Sequence, residues 1–291
     1  MIPIESAIRA VLSKVIRSQV QSIHLDAVTG GSINECFCLT VNNGLRFFCK
    51  VNSAKKYPAL FEKEKNGLKL LGSYGIFRVP KVYASEIADG YQILILEWIK
   101  PGTCNKKFWK LFGEKLAALH QVSNEYFGWA EDNYMGALPQ SNPSTGTWVE
   151  FLMNERLVPQ IKRASDNHLL SPENLLQFNN LYPCLSNIFL PQPPSLIHGD
   201  LWSGNFLCDE NDEPVLMDPA PYFGHRAMDL AMTGLFGGFD ETFYQSYRYN
   251  FPLPENYLEQ WDICRLYPLL IHLNLFGLSY LQQILKIIKP Y

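Results

Sequence analysis

The chain has 291 residues, of which 47% are hydrophobic and 18% are charged, and its formal net charge is −3. This balance excludes a disordered chain, and the negative charge argues against a general nucleic-acid or anionic-membrane binder. Seven cysteines without a CxxC pair favour free thiols in a reducing cytosol, so we expect a cytoplasmic protein, and no apolar run approaches the ~20 residues of a membrane span.

The first hundred residues predict a small antiparallel sheet that follows an amphipathic helix over residues 4–20. The predicted strands cover residues 23–29, 36–41, 45–51, 79–83 and 91–96. The turn after the first strand is formed by Gly30, Gly31, Ser32, Ile33 and Asn34. Adjacent glycines let backbone N–H groups approach phosphates, although such a pair is also common in a plain hairpin turn.

Lys50 lies within the apolar strand over residues 45–51, where a charge needs an anionic partner unless the side chain faces solvent. The helix predicted over residues 58–72 carries two candidate partners, Glu62 and Glu64. A lysine on the third strand, paired with a helical glutamate, is the arrangement that orients nucleotide phosphates in kinases.

The last strand of this sheet stops at Glu97, Trp98 and Ile99, and a Pro-Gly pair follows shortly after. Such a stop is similar to the kinase hinge, whose backbone pairs with adenine while the chain crosses between lobes; the alternative is a surface turn. We place the lobe boundary here, with an N-terminal nucleotide-binding lobe over residues 1–99 and a catalytic and substrate-binding lobe over residues 100–291.

Beyond this boundary the hydrophobic periodicity becomes helical. The predicted helices cover residues 108–121, 148–164, 172–187, 228–235, 241–249, 257–266 and 269–285. Residues 127–147 are rich in Gly, Asn and Pro and predict a long loop. The fold class expected is therefore α+β, with a small antiparallel β lobe that includes a helix and a larger, mainly helical C-terminal lobe.

Residues 198–205, His-Gly-Asp-Leu-Trp-Ser-Gly-Asn, form a polar loop between two short apolar strands. Asp200 and Asn205 have the spacing of the protein-kinase catalytic loop, and Asp218 ends the next apolar strand. In that arrangement the first carboxylate accepts the proton of the attacking hydroxyl, while the amide and the second carboxylate bind Mg²⁺. The pattern predicts phosphoryl transfer; the alternative is a loop whose polar residues only cap turns.

These motifs resemble the fructosamine (ketosamine) kinases, relatives of the aminoglycoside and choline kinases within the protein-kinase-like fold. The resemblance covers nearly the whole chain and is most specific at Leu201-Trp202-Ser203-Gly204, inside the polar loop. Further matches are Phe127-Gly128, Asp132-Asn133-Tyr134, Leu138-Pro139-Gln140, Trp148, Arg156-Leu157, Asp218-Pro219-Ala220, Tyr222, Gly224-His225-Arg226, Asp229-Leu230-Ala231-Met232, Phe236-Gly237-Gly238-Phe239 and His272-Leu273-Asn274-Leu275-Phe276-Gly277.

The resemblance implies a bilobal enzyme that uses ATP and Mg²⁺ to phosphorylate a sugar hydroxyl of a ketosamine, either a small molecule or a glycated protein lysine. Such an activity repairs glycated amines. The resemblance further implies that Asp200 accepts the hydroxyl proton and that Asn205 and Asp218 hold Mg²⁺. It also favours Glu64 over the alternative glutamate as the partner of Lys50.

The remaining nucleotide contacts also follow from the resemblance. The loop formed by residues 30–34 would cover the phosphates, and the backbone of Glu97, Trp98 and Ile99 would hold adenine.

Two residues are candidates for the acceptor side. Trp202 could pack on the apolar face of the sugar, and His272 lies in the apolar C-terminal region, where it suits a substrate hydroxyl. Core packing is the alternative for both residues. We expect Asp229 to brace the polar loop by accepting its backbone N–H groups.

Three departures from the family pattern concern specificity for the sugar or the amine: Ala227, Pro268 and Ile271. Two other functions stay open, namely an aminoglycoside- or choline-type kinase and a nucleotide-binding pseudokinase. Residues 263–291 contain no Asp or Glu, whereas a polycationic aminoglycoside needs carboxylates around its ammonium groups. We therefore expect a ketosamine acceptor.

Overall fold

The computed structural model describes residues 3–28, 33–42 and 44–291. The chain divides into two compact units. One consists of Met1–Thr103 with Leu207–Asp218, and the other of Cys104–Phe206 with Pro219–Tyr291.

The segment 207–218 belongs to the first unit although it comes much later in the chain. The N–H of Leu216 donates to the carbonyl of Arg78 (3.0 Å), and the N–H of Gly102 donates to the carbonyl of Cys208 (2.8 Å). The first unit thus runs slightly past residue 99 and also contains this segment.

The first unit begins with a helix and continues as a sheet. Its elements before residue 104 are α1 (Pro3–Val15), β1 (Ile23–Ala27), β2 (Glu35–Val41), β3 (Leu45–Ser53), α2 (Leu60–Ser73), β4 (Val82–Ala88) and β5 (Tyr91–Glu97). The strands form one antiparallel sheet in the order β1-β2-β3-β5-β4. Alternate strand residues pack with the apolar stripe of α1 in a core that includes Ile8, Leu12, Leu39, Val41, Cys49, Val51, Ile93 and Ile95.

Helices dominate the remainder of the chain. The elements are α3 (Lys106–His120), β6 (Asn133–Met135), β7 (Leu138–Gln140), α4 (Trp148–Phe151), a π-helical segment (Leu152–Leu157), α5 (Val158–Asp166), α6 (Pro172–Leu181), a 3-10 turn (Tyr182–Cys184), α7 (Leu185–Ile188), β8 (Ser195–Ile197), β9 (Phe206–Cys208), β10 (Pro214–Leu216), β11 (Tyr222–Gly224), α8 (Ala227–Leu235), α9 (Glu241–Asn250), α10 (Tyr257–Phe276), a second 3-10 turn (Leu278–Tyr280) and α11 (Leu281–Ile288). The α+β class with an N-terminal antiparallel sheet is confirmed.

Short strand pairs hold both ends of the polar loop over residues 198–205. Strand β8, which precedes the loop, pairs antiparallel with β11, so that Ile197 lies opposite Tyr222. Strand β9, which follows the loop, pairs with β10. The loop is therefore mounted on backbone hydrogen bonds on each side, which is what the flanking apolar runs predict.

Helix α10 is continuous through Pro268, although the sequence analysis predicts two helices separated there. A proline removes one backbone hydrogen bond and crowds the preceding turn. The helix continues because its neighbours Tyr267 and Leu269 are each only 1% exposed, and their packing outweighs that cost. The helix ends at Gly277, whose φ of +87° is a conformation that glycine adopts without strain.

Other element boundaries also differ from the prediction. Helix α1 ends at residue 15 rather than at residue 20, and the predicted helix over residues 172–187 is divided by the 3-10 turn that contains Pro183. The predicted loop over residues 127–147 contains the hairpin β6-β7, which side-chain hydrogen bonds stabilise. Within the described ranges, none of the helices combines the length and the hydropathy that a bilayer span requires.

Candidate active site

Lys50 is buried in β3, with 2% of its surface exposed, and its ammonium group contacts two carboxylates of the first unit. Nζ lies 2.7 Å from Oε1 of Glu64 on α2 and also forms an ion pair with Oδ1 of Asp218. Glu62 is exposed and pairs with Lys65 on its own helix (2.6 Å). Of the two candidate glutamates, Glu64 is therefore the partner of Lys50.

Helix geometry explains why only one glutamate reaches the lysine. Residues two apart on an α-helix point ~200° apart, so Glu62 and Glu64 lie on opposite sides of α2. Glu64 shares its side with Phe61 and Leu68, which are each 1% exposed. A buried ammonium without a counter-charge is unfavourable, and the glutamate supplies that charge.

Asp218 follows β10 with a left-handed backbone conformation (φ +51°), which residues other than glycine rarely adopt. Such a conformation persists where the surroundings impose it, and it is frequent at functional sites. About two fifths of the side chain remains accessible, at 41% exposure. One lysine that faces two carboxylates leaves this cluster with a net negative charge.

The segment predicted to bind adenine uses its side chains for packing. Glu97 accepts a hydrogen bond from Nη2 of Arg78 (2.6 Å). The guanidinium of Arg46 lies 4.2 Å above the ring of Trp98, and Ile99 is buried. The side chains of all three residues are therefore engaged within the first unit.

Part of the predicted phosphate loop lies outside the described residues, namely Gly30, Gly31 and Ser32. The rest of the loop is anchored by Asn52 of β3, whose Nδ2 donates to the carbonyl of Ile33 (3.1 Å) and to Oδ1 of Asn34 (2.6 Å). No sequence motif predicts this role for Asn52. Its position two residues after Lys50, on the same face of the strand, is the signal that could have found it.

Asp229 of α8 braces the polar loop, as predicted. Its two carboxylate oxygens accept hydrogen bonds from the N–H groups of His198 (2.7 Å) and Gly199 (2.9 Å). Nε2 of His120 lies 3.2 Å from the same carboxylate, and Nδ1 lies 2.8 Å from the hydroxyl of Tyr247. Burial opposes ionisation of Asp229, but the hydrogen bonds from His120 and the loop outweigh it and lower the pKa of Asp229.

Asp200 and Asn205 contact each other within the loop. Nδ2 of Asn205 donates to Oδ2 of Asp200 (3.0 Å) and to its carbonyl (2.8 Å), which orients both groups. Burial raises the pKa of Asp200 to about 7, although the hydrogen bond from Asn205 acts in the opposite direction. A general base works best with a pKa near the working pH, so this environment suits proton transfer.

The backbone beside Asp200 depends on a glycine. Gly199 has a φ of +84°, and a Cβ at this position would overlap the carbonyl of Ala220. The loop therefore lies directly against the chain that follows Asp218, and only glycine permits this approach.

A second polar network, centred on Arg156, was not predicted. Arg156 lies in the π-helical segment, is fully buried, and has its guanidinium carbon 4.1 Å from the ring centre of Tyr222. It donates to Oδ1 of Asn142 (2.6 Å) and to the carbonyl of Ser141 (2.7 Å). These contacts hold a buried cation with an aromatic face and neutral acceptors.

The network continues to the backbone beyond Asp218. Nδ2 of Asn133 donates to the carbonyl of Pro221 (2.9 Å), and Nε2 of Gln140 donates to the carbonyl of Ala220 (3.3 Å). The hairpin β6-β7 thus positions the segment against which Gly199 packs. Two amides in a short apolar hairpin are the sequence signal for this role.

The two residues predicted to contact substrate, Trp202 and His272, are both half-buried in the second unit. The ring centre of Phe236 lies 6.0 Å from that of Trp202 and 5.2 Å from that of His272. Asn274, the other polar residue in this part of α10, donates to the carbonyl and to Oε1 of Gln160 (3.0 Å each). Asn274 therefore holds α5 and α10 together.

His225 is a buried neutral group that is expected to make the protein sensitive to acid. Burial lowers the pKa of His225 to about 3, and the charge of Arg226 acts in the same direction. The ring packs against Trp148 and Phe189, with centres 5.6 and 5.0 Å away. A histidine in the unfolded chain titrates near pH ~6.5, so below that pH the unfolded state binds a proton that the folded state does not.

We therefore expect the free energy of unfolding to fall between pH ~6.5 and ~3, by up to about 1.4 kcal/mol per pH unit from this group. His225→Asn, which retains an acceptor for the N–H of Ala227, should flatten this dependence in urea unfolding series. His168→Asn, at an exposed position, is the control and should keep the wild-type slope. An equally steep acid loss in His225→Asn would contradict the assignment.

Comparison with known proteins points to one family. A family model described as Fructosamine kinase matches residues 4–291. A "Probable ketoamine kinase" of Synechocystis sp. is 38% identical over 265 residues, which cover 90% of this chain and 88% of the relative. The "Protein-ribulosamine 3-kinase, chloroplastic" of Arabidopsis thaliana is 35% identical over 277 residues, which cover 93% of this chain and 83% of the relative.

Solved structures agree with this assignment. The crystal structure of a "Putative fructosamine-3-kinase" from Haemophilus somnus has a TM-score of 0.88 at 28% identity and covers 98% of this chain and 97% of that chain. An aminoglycoside-3'-phosphotransferase of type VIII, with a TM-score of 0.56 at 16% identity, covers 91% of this chain and 99% of that chain and shows the shared protein-kinase-like fold alone. Because the family model spans nearly all of the sequence and both curated relatives exceed 30% identity over most of their length, the chain belongs to the fructosamine kinase family.

Proposed function

We propose that this protein is an ATP-dependent kinase that phosphorylates a sugar hydroxyl of ketosamines, which are sugar–amine adducts of the fructosamine or ribulosamine type. The observation that carries the proposal is the family match over residues 4–291. The chain retains the residues that phosphoryl transfer requires: Lys50, Glu64, Asp200, Asn205 and Asp218. The relatives named ketoamine kinase and protein-ribulosamine 3-kinase support this substrate class. The proposed role of the activity is the repair of glycated amines.

In the proposed mechanism, one set of residues binds the nucleotide and another acts on the acceptor hydroxyl. Lys50, oriented by Glu64, pairs with the phosphates of ATP. Asp200 takes the proton of the acceptor hydroxyl as the oxygen attacks the terminal phosphorus, and Asn205 keeps the carboxylate oriented. The loop over residues 30–34 covers the phosphates, and the backbone of the segment from Glu97 to Ile99 holds adenine.

Asn205 and Asp218 are the proposed holders of Mg²⁺. Their amide and carboxylate oxygens match the preference of this hard cation, which is usually bound by one or two carboxylates together with substrate phosphates. Within the described part of the chain, no group of three or more His, Cys, Asp or Glu side chains could hold a metal. Substrate phosphates would supply further oxygen ligands to the ion. When bound, Mg²⁺ neutralises charge on the phosphates during transfer.

The acceptor side favours a ketosamine over an aminoglycoside. Residues 263–291 contain no Asp or Glu, so no carboxylate of α10 beyond residue 262, or of α11, can pair with the ammonium groups of a polycation. Arg265 is the first charged residue of this stretch, and it pairs with Asp262 (2.7 Å). A region without carboxylates suits the hydroxyls and the single amine of a ketosamine better than several ammonium groups.

The test is ATP-dependent phosphorylation across a panel of fructosyl-lysine, ribulosyl-lysine, kanamycin and choline. We expect turnover of at least one ketosamine and little or none of the other two compounds. Faster phosphorylation of kanamycin or choline than of every ketosamine would overturn the proposed substrate class. ATP binding without transfer to any acceptor would favour a pseudokinase.

All seven cysteines are free thiols in the structure. We therefore place the protein in a reducing compartment, the cytoplasm. The proposed partners are small ketosamines or the glycated lysines of proteins, without nucleic acid or membrane.

A further inference from the structure

Five aromatic side chains form a continuous strip in the second unit that begins in the polar loop itself. The aromatic strip consists of Trp202, Phe236, His272, Phe276 and Tyr280. Successive ring centres lie 6.0 Å apart from Trp202 to Phe236 and 5.2 Å apart from Phe236 to His272, and His272 lies 5.5 Å from Phe276 and 4.9 Å from Tyr280. The strip starts two residues from Asp200.

The strip presents apolar surface to solvent. Phe236 is 42% exposed and Phe276 is 50% exposed, and Leu278, two residues after Phe276 in the chain, is 59% exposed. Single exposed apolar residues need no explanation, whereas a contiguous patch that adjoins a site of chemistry marks a binding surface. Its continuity with the loop of Asp200 indicates that the occupant is part of the acceptor.

The segment that follows Phe236 is held in place by contacts with the polar loop and with other aromatic rings. Gly238 has a φ of +91°, and a Cβ there would overlap the side chain of Ser203 in the polar loop. Phe239 packs against Phe112 and Phe243, with ring centres 5.8 and 4.9 Å away. The segment that carries Phe236 is therefore attached both to the polar loop and to an aromatic cluster, so the strip is a preformed surface.

The chemistry of the strip fits an amine that carries an apolar substituent. None of its five members is Lys, Arg, Asp or Glu, and ring faces attract an ammonium group without a carboxylate. Nδ1 of His272 donates to the carbonyl of Pro268 (2.7 Å), so the neutral ring presents Nε2 as an acceptor for an N–H or O–H group. Burial lowers the pKa of His272, which favours this neutral form.

We propose that the aromatic strip binds the amine half of the ketosamine. It selects substrates whose nitrogen carries an alkyl or aryl group, such as a lysine side chain, over substrates in which the carbon next to the nitrogen carries a carboxylate. This inference rests on the proposed function. A carboxylate at that position would lie against ring faces, which repel negative charge, and would lose its water without gaining a cation. An alkyl or aryl group would instead bury apolar surface on the rings.

The experiment compares kcat/KM for fructosyl-benzylamine and fructosyl-glycine, which share the sugar and differ in the amine. For the wild type we expect a ratio of about 10 or more in favour of fructosyl-benzylamine. Phe276→Ala and Phe236→Ala should bring the ratio to within about threefold of one, mainly through the benzylamine adduct, whereas Phe276→Tyr should retain it. Tyr249→Ala, at a position 88% exposed and outside the strip, should leave the ratio unchanged.

Each outcome separates the two proposals. Equal kcat/KM for both adducts in the wild type, or an unchanged ratio in both alanine variants, would overturn the role of the strip while ketosamine phosphorylation stands. Failure to phosphorylate any ketosamine would overturn the proposed function and the strip assignment together. Thermal unfolding of each variant shows whether a change in the kcat/KM ratio results from unfolding of the protein. In that case Phe276→Leu repeats the test with a smaller apolar side chain.

Discussion

Replacing Asp200 by Asn is expected to lower kcat by about 10²-fold or more while the protein folds and still binds ATP. The amide has nearly the same shape as the carboxylate and can still accept the hydrogen bond that Nδ2 of Asn205 now gives to Oδ2 (3.0 Å). It cannot accept the proton of the acceptor hydroxyl. The substitution therefore removes the proposed base and leaves the loop intact.

Steady-state phosphorylation of a ketosamine, with thermal unfolding in the presence and absence of ATP and Mg²⁺, measures both halves of this expectation. Asp166→Asn is the matched control, because Asp166 is exposed. Among the ion pairs of the described residues, Asp166 takes part only in one with Lys162 on its own helix. Its turnover should equal that of the wild type within about twofold. Near-wild-type turnover in Asp200→Asn would remove Asp200 from the role of proton acceptor.

Glu64→Gln is expected to lower kcat/KM for ATP by about 10²-fold with little loss of stability. The glutamine cannot form the ion pair that now joins Oε1 of Glu64 to Nζ of Lys50 at 2.7 Å. The ammonium group keeps its contact with Asp218, so the buried charge is not left alone, but it is no longer held toward the phosphates.

The control comes from the same helix. Glu62→Gln removes an equal charge two residues away, yet Glu62 is exposed and pairs with Lys65, so its kcat/KM should change by less than about twofold. The increase in melting temperature produced by ATP and Mg²⁺ should shrink in Glu64→Gln and persist in Glu62→Gln. If both variants behave alike, the ion pair of Lys50 has no special role in nucleotide binding.

The linear sequence determined the features that depend on interactions between residues close together in the chain. Two short apolar runs on either side of residues 198–205 predict strands, and β8 and β9 are found there. The spacing of Asp200 and Asn205 also places both residues in one loop, where their side chains are found in contact because only a short turn separates them. The sheet of the first unit follows from alternation of apolar residues and turn signals in the same way.

The choice between Glu62 and Glu64 depends partly on the sequence and partly on the tertiary structure. Helical periodicity predicts that one of them faces the sheet, since residues two apart point ~200° apart. Which one faces Lys50 depends on how α2 rests on the strands, and that is decided by the burial of Phe61 and Leu68.

Only the tertiary structure decided the long-range features. Pro268 predicts a helix break from its missing N–H group, yet the burial of the residues around it keeps α10 continuous. The Arg156 network and the aromatic strip bring together segments that lie far apart in the chain, as where Phe236 meets both Trp202 and His272. Spacing along the sequence does not reveal which segments meet. The fold decides which surfaces are buried together, and a polar group on such a surface needs a partner because an unpaired buried polar group is unfavourable. Rings stay exposed only where no other part of the fold packs on them.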